Sequence, residues 1–140
     1  MTKTVIAACG SVVLLLSSAS AAVPLNKPVT LAGVRTVCTG IGYRQENNPR
    51  WDKYPVRIEF TDAKGAYTAG AHVAVLQPGG NRLVQFTCPG SWALLSLQPG
   101  AYTVTARIGH GPGSLQTAAF TAPESGRKSV ILRFTSAAAQ

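Results

Sequence analysis

The fold is indicated by residues 97–108, which read Leu-Gln-Pro-Gly-Ala-Tyr-Thr-Val-Thr-Ala-Arg-Ile. The first part has turn chemistry, because Pro99 fixes φ and Gly100 supplies the positive φ that a type II turn requires. The second part, from Tyr102 to Ile108, alternates apolar residues with Thr and Arg. The stretch therefore predicts a hairpin turn that leads into a strand with one buried face.

The same period of two recurs along most of the chain. It is clearest at residues 56–61 and 130–135, where every second residue is apolar and the residues between, such as Arg57 and Glu59, are expected to face solvent. The remaining strand candidates are short runs rich in Val, Leu, Thr or aromatic residues, at 34–43, 71–77, 82–88, 92–97 and 115–121. About eight such runs separated by turns predict an all-β fold, a single seven- to eight-stranded β-sandwich.

Two local motifs lie between these strands. Residues 77–81, Gln-Pro-Gly-Gly-Asn, predict a second tight hairpin, and we interpret the shared Leu-Gln-Pro-Gly of the two turns as reuse of one good turn. Asn48 followed by Pro49 is typical of a helix N-cap and first helical position. Because Pro55 stops the helix, we expect one or two turns.

The N-terminal 22 residues have the pattern of a secretory signal peptide. Lys3 precedes an apolar run at 5–16, and Ala-Ser-Ala at 19–21 suits cleavage after Ala21 or Ala22. The apolar run is shorter than the roughly 20 residues that a spanning helix needs, so no membrane span is expected. We predict a periplasmic or secreted protein with an extended segment at 23–33, one β-sandwich domain at 34–135 and a tail at 136–140.

Cleavage would leave two cysteines, Cys38 and Cys88, since Cys9 lies within the signal peptide. Disulfides persist in the compartments to which such a leader directs a protein. The alternative is a pair of reactive thiols, but there is no Cys-x-x-Cys spacing and no histidine close in sequence. The sequence therefore favours a structural disulfide between Cys38 and Cys88.

The charge balance is set by a shortage of acids, with 13 Lys and Arg against 5 Asp and Glu and a formal net charge of +8. So few carboxylates, with two histidines, disfavour metal, cofactor and hydrolytic chemistry, so we expect no catalytic residues, no metal, no cofactor and no enzyme activity. Export and the scatter of the basic residues argue against nucleic acid. An envelope protein or an anionic envelope polymer is the expected partner, and nothing in the sequence indicates an oligomeric state.

One segment combines aromatic rings with positive charge and is the candidate ligand-binding patch: Tyr43, Arg44, Arg50, Trp51, Lys53 and Tyr54. Stacked rings suit sugars and cations suit anionic polymers. The alternative, which we favour, is that Trp51 and Tyr54 cover the open end of the core while the Arg and Lys side chains stay in solvent. Trp92 is likewise interpreted as a core residue.

Residues 90–106, Gly-Ser-Trp-Ala-Leu-Leu-Ser-Leu-Gln-Pro-Gly-Ala-Tyr-Thr-Val-Thr-Ala, resemble the Leu-x-Pro-Gly-x-Tyr-x-Val segment of carboxypeptidase regulatory-like domains. These are prealbumin-like, Ig-like β-sandwiches, and in them Leu97 and Tyr102 would pack into one core. Upstream, Cys38-Thr39-Gly40-Ile41-Gly42 and the turn Gly65-Ala66-Tyr67 are similar to small exported bacterial proteins of this type. The resemblance implies a non-catalytic binding or structural module of the bacterial envelope. The alternative is a polysaccharide-binding module that uses Tyr43, Trp51 and Tyr54.

Overall fold

The computed structural model describes Gly10 and residues 21–40 and 48–135. Most of the predicted signal peptide, the tail at 136–140, and the patch residues Tyr43 and Arg44 lie outside the described residues. Among the described residues, no helix is long and apolar enough to cross a membrane.

Two five-stranded sheets form the β-sandwich that the alternation predicts. Sheet A has the order β1-β6-β5-β8-β9, and sheet B has the order β10-β4-β7-β3-β2. All eight predicted strands are present, and the sequence missed two short ones, β1 and β2, which precede the predicted domain. The strands are β1 (Ala21–Ala22), β2 (Val29–Leu31), β3 (Val34–Thr39), β4 (Val56–Thr61), β5 (Ala71–Leu76), β6 (Arg82–Cys88), β7 (Trp92–Leu95), β8 (Gly100–Arg107), β9 (Leu115–Ala122) and β10 (Lys128–Arg133).

The main core lies between the two sheets, because each strand directs alternate side chains inward. Phe60 and Phe134 meet there with ring centroids 6.4 Å apart. Leu97 is buried in the same core and Tyr102 packs against it, as the sequence predicted for this pair. The predicted disulfide is confirmed: Cys38 on β3 and Cys88 on β6 are joined across the two sheets, with Cα atoms 5.5 Å apart.

One of the two predicted hairpins is confirmed and the other is wrong. Residues 77–81 join β5 to β6, with a main-chain bond of 2.8 Å from the Gln77 N–H to the Asn81 carbonyl. The turn at Pro99, however, passes from β7 in sheet B to β8 in sheet A, and Gly100 is already the first residue of β8. The reason is that β7 pairs with both β3 and β4, which leaves no free edge for β8.

The predicted alternation in β4 is also only half right. Val56, Ile58 and Phe60 are buried as expected, but Glu59 and Thr61 on the opposite face are each only 6% exposed. Strand β4 is thus covered on both faces, because side chains from β7 and the β4–β5 connection pack over the outer face of sheet B. That outer face carries the candidate functional site.

Candidate cationic binding surface

A single turn of 3-10 helix, Pro49–Trp51, organises the predicted patch. The Asn48 side-chain oxygen accepts a bond of 3.0 Å from the Arg50 N–H, so the predicted N-cap is confirmed, with Pro49 opening the helix. A turn follows the helix, in which the Tyr54 N–H bonds the Trp51 carbonyl at 3.2 Å and brings the two aromatic residues together. Lys53, like Arg50, is exposed.

The two aromatic rings are buried but not where the sequence suggested. Trp51 is 3% exposed and Tyr54 is 1% exposed, and their ring centroids are 6.3 Å apart. They form a separate cluster with Val37 of β3 and Leu94 of β7. The rings therefore cover the outer face of sheet B, whereas the sequence interpretation placed them over the open end of the core between the sheets.

Two cations lie on these rings. The Arg50 guanidinium carbon is 4.9 Å from the centroid of the Trp51 ring, and the Lys53 ammonium is 5.9 Å from that of Tyr54. Each such contact is worth about 0.5–1 kcal/mol at an exposed site. The rings thus act as a platform that holds two positive charges at the surface, and a sugar could stack on them only after displacing these cations and uncovering the rings.

A third cation, Arg127, reaches the same place from the connection between β9 and β10. The Arg127 guanidinium donates a bond of 2.8 Å to the Trp51 carbonyl and lies 3.8 Å from the Asp52 carboxylate. The Lys128 main-chain N–H bonds the Pro55 carbonyl at 2.7 Å, which holds the start of β10 beside the residues that follow the helix. We call Arg50, Lys53 and Arg127 the cationic surface. Asp52 is the carboxylate among them, so positive charge predominates.

The structure brings together four of the six predicted patch residues, Arg50, Trp51, Lys53 and Tyr54. Sequence reasoning missed Arg127, which is far along the chain and reaches the patch because β10 pairs in parallel with β4 from Lys128↔Val56 onward. A basic residue ahead of a strand is too common a pattern to have identified it. Only the pairing of two distant strands places it there.

A second cluster on the same outer face was also missed. The Arg57 guanidinium stacks on the Trp92 ring at 4.4 Å and lies 3.8 Å from the Glu59 carboxylate, which accepts a bond of 2.9 Å from the Tyr67 hydroxyl. The Tyr67 and Trp92 rings meet edge to face at 6.3 Å. Glu59 is held by these partners and does not contribute free negative charge to the surface.

The exposed side chains of the cationic surface offer hydrogen-bond donors to a partner. Arg50 and Lys53 are exposed, and the side chains of Arg and Lys donate hydrogen bonds but accept none. The indole N–H groups of Trp51 and Trp92 and the Tyr54 hydroxyl are buried in this face, out of a partner's reach. The exposed groups are therefore suited to a partner rich in anionic oxygens.

The two histidines lie in separate places on the other sheet. His72 is an exposed residue of β5 whose Nδ1 is 3.0 Å from the Thr87 hydroxyl, and His110 belongs to the loop between β8 and β9. Within the described ranges, no three His, Cys, Asp or Glu side chains are grouped as a metal site would need.

The sequence matches no protein-family model, and no curated protein was found to be similar to it. The geometry of the outer face of sheet B is therefore the basis for a function.

Proposed function

We propose that this chain is a non-catalytic binding module of the bacterial envelope, with a carboxypeptidase regulatory-like fold, and that it binds an anionic envelope polymer. The observation that carries the proposal is the cationic surface. Three basic side chains meet there because the 3-10 helix and the connection that leads into β10 adjoin. A planar guanidinium matches phosphate and carboxylate groups with two parallel hydrogen bonds, and a lysine ammonium adds a point charge, so these groups supply binding chemistry.

The contacts beneath the surface favour binding by limiting how far the cations move. Arg50 and Lys53 rest on rings that are themselves packed against β3 and β7, and Arg127 is bonded to the helix backbone. A side chain that is already held loses less conformational entropy when a ligand binds. A polymer with repeated charges also meets several such sites at once, which raises its overall affinity.

Export is supported by two independent features of the chain. The first is the apolar leader that ends in Ala-Ser-Ala at 19–21. The second is the disulfide between β3 and β6, a bond that persists in oxidising compartments and is rare in the cytosol. An envelope location would bring the cationic surface into contact with polymers that carry phosphate or carboxylate groups.

The test is binding of the cleaved protein to two probes, polyphosphate and polygalacturonate, measured by titration calorimetry at low and moderate salt. We expect R50Q/K53Q to weaken binding to the preferred probe about tenfold and to reduce the salt dependence by about two counterions, one for each cation removed. The matched control is K27Q/K64Q, which removes the same charge from two exposed lysines outside the cationic surface.

The comparison of the two double variants separates a site from general attraction. An equal loss in both would show that net charge alone attracts the polymer, and the cationic surface would have no special role. Failure of the unmodified protein to bind either polymer would contradict the proposed function directly. Circular dichroism on each variant checks that the β-sandwich has folded.

A further inference from the structure

The edges of the two sheets differ in how well they are protected against pairing with another strand. Natural proteins protect an edge by keeping it short, charging it or covering it. Strand β10 carries Lys128 and Arg133, β2 has three residues, and β6 is partly covered by β1. These three edges therefore follow the usual pattern.

Strand β9 is the exception. It has eight residues, Leu-Gln-Thr-Ala-Ala-Phe-Thr-Ala, with no charge and no proline, and it pairs with β8 in an unbroken register from Gly100↔Ala122 to Arg107↔Leu115. It is the last strand of sheet A, and on its other side the end of β10 comes close, since the Thr135 N–H bonds the Gly113 carbonyl at 3.3 Å just before β9 begins. From Leu115 to Ala122 itself, the described structure pairs β9 with β8 alone. A long, regular, uncharged edge of this kind is a template for strand addition.

The register fixes which groups of β9 face outward. The Ser114 carbonyl points toward β8, because it accepts a hydrogen bond from the Ile108 N–H at the end of that strand. The main-chain groups of successive residues alternate between the two sides of a strand. The N–H and C=O groups of Leu115, Thr117, Ala119 and Thr121 therefore point away from β8. In the described structure no main-chain bond joins them to a strand other than β8.

The two ends of β9 have complementary shapes on the outer face of sheet A. Leu115, at the start, is a large apolar side chain that is 49% exposed. At the other end is an open depression of about 320 Å³ with a mostly apolar lining, formed by Pro78, Ala101, Tyr102, Thr103, Ala119, Phe120 and Thr121. A projection and a depression on one strand are what a two-fold interface requires, since each copy then supplies both parts.

We propose that two copies of this chain pair antiparallel through β9, about a two-fold axis at Ala118. This register sets Leu115 opposite the partner's Thr121 and Thr117 opposite the partner's Ala119. The side chain of Leu115 then lies at the partner's depression. The outward groups of four residues in each copy form about eight hydrogen bonds, and the two sheets A become one continuous sheet.

A second copy fits this edge better than an unrelated strand for two reasons. Leu115 is three residues before Ala118, and Thr121, which lines the depression, is three residues after it. The side chain and the depression therefore meet when β9 pairs antiparallel with a second copy of itself. The chain also carries a formal charge of +8, which opposes self-association wherever basic residues meet. Strand β9 has no charged side chain and has small residues at its centre, so two copies approach there with the least repulsion.

The test is the oligomeric state of the cleaved protein by sedimentation velocity over a concentration series. We expect a dimer, and we expect L115S to weaken it at least about tenfold, because an apolar side chain is withdrawn from the interface. The control is I131S. Ile131 on β10 is 63% exposed, so its replacement removes a similar apolar surface from sheet B and should leave the dimer unchanged.

Two further variants examine the strand itself. In A119P the lost N–H is one that points outward, a position where edge strands tolerate proline, so the domain should fold as a monomer. In A118C the two cysteines stand opposite each other on the axis and should form an intermolecular disulfide on mild oxidation. A monomer up to about 1 mM would overturn the proposal, as would a dimer that both L115S and A119P leave intact.

Discussion

Gly90 offers a sharp test of how the connection between β6 and β7 packs against the end of β3, through the substitution Gly90→Ala. Gly90 is buried just after Cys88, and a Cβ placed on it would lie 2.2 Å from the Thr39 carbonyl oxygen and 2.6 Å from the carbonyl carbon. Both atoms belong to the main chain at the end of β3, so they cannot move aside as a flexible side chain would. The main chain on one side or the other has to shift.

The size of the effect follows from what that shift breaks. Forcing an extra methyl group into a packed site costs about 1–3 kcal/mol. The same Thr39 carbonyl accepts a bond of 3.1 Å from the Ser91 N–H, and losing a main-chain bond costs about 1 kcal/mol more. Removing a glycine from the unfolded chain offsets about 0.4–1 kcal/mol. We expect a net loss of about 2–3 kcal/mol in the free energy of unfolding.

The measurement is urea denaturation followed by tryptophan fluorescence, since Trp51 and Trp92 are both buried. With an m value of about 1–3 kcal/mol/M for a domain of this size, the midpoint should fall by about 1–2 M while m stays the same. The matched control is Gly40→Ala. Nothing lies within 4 Å of a Cβ at Gly40, so its midpoint should change little.

Equal midpoints for Gly90→Ala and the unmodified protein would refute this reasoning. Such a result would mean that β3 and the Gly90 main chain are further apart than the structure places them. A loss of similar size in Gly40→Ala would refute it in another way, because glycine removal itself would then be the cause.

Two other predictions concern covalent and polar links. Replacing both Cys38 and Cys88 by Ala should lower the free energy of unfolding by about 4 kcal/mol, because the disulfide closes a loop with a sequence separation of 50. An unchanged urea midpoint in this double variant would contradict the prediction. Tyr67→Phe should cost about 1–3 kcal/mol, because it removes the hydroxyl that donates to the buried Glu59 carboxylate. Tyr102→Phe should cost less, because the Tyr102 hydroxyl bonds a carbonyl at an exposed position. Comparable thermal shifts for the two variants would exclude the part-buried bond to Glu59 as the cause.

Much of the fold could be predicted because it depends on local patterns. The period of two located eight strands, and the cap at Asn48 located the 3-10 helix. The error at Pro99 arose because turn chemistry is the same whether the next strand joins the same sheet or the other one. Glu59 was assigned to solvent for a similar reason, since alternation shows that a strand has two faces but not whether the second is covered.

The candidate site was predicted only in part. Arg50, Trp51, Lys53 and Tyr54 are neighbours in sequence, so composition alone brought them to attention. Whether the rings are exposed depends on Val37 of β3 and Leu94 of β7, and the contribution of Arg127 depends on the pairing of β10 with β4. Contacts of this kind join residues that are distant in sequence and leave no periodic signal.

The sequence by itself determined the class of the fold, the disulfide and the excess of positive charge, because each follows from residue types and their local spacing. The tertiary structure decided where the charge is concentrated and which edge of the sandwich is open. Both are consequences of strand order: β10 beside β4 assembles the cationic surface, and β9 at the end of sheet A is left with one side unpaired. Strand order is set by the packing of the whole domain, and short-range patterns do not encode it.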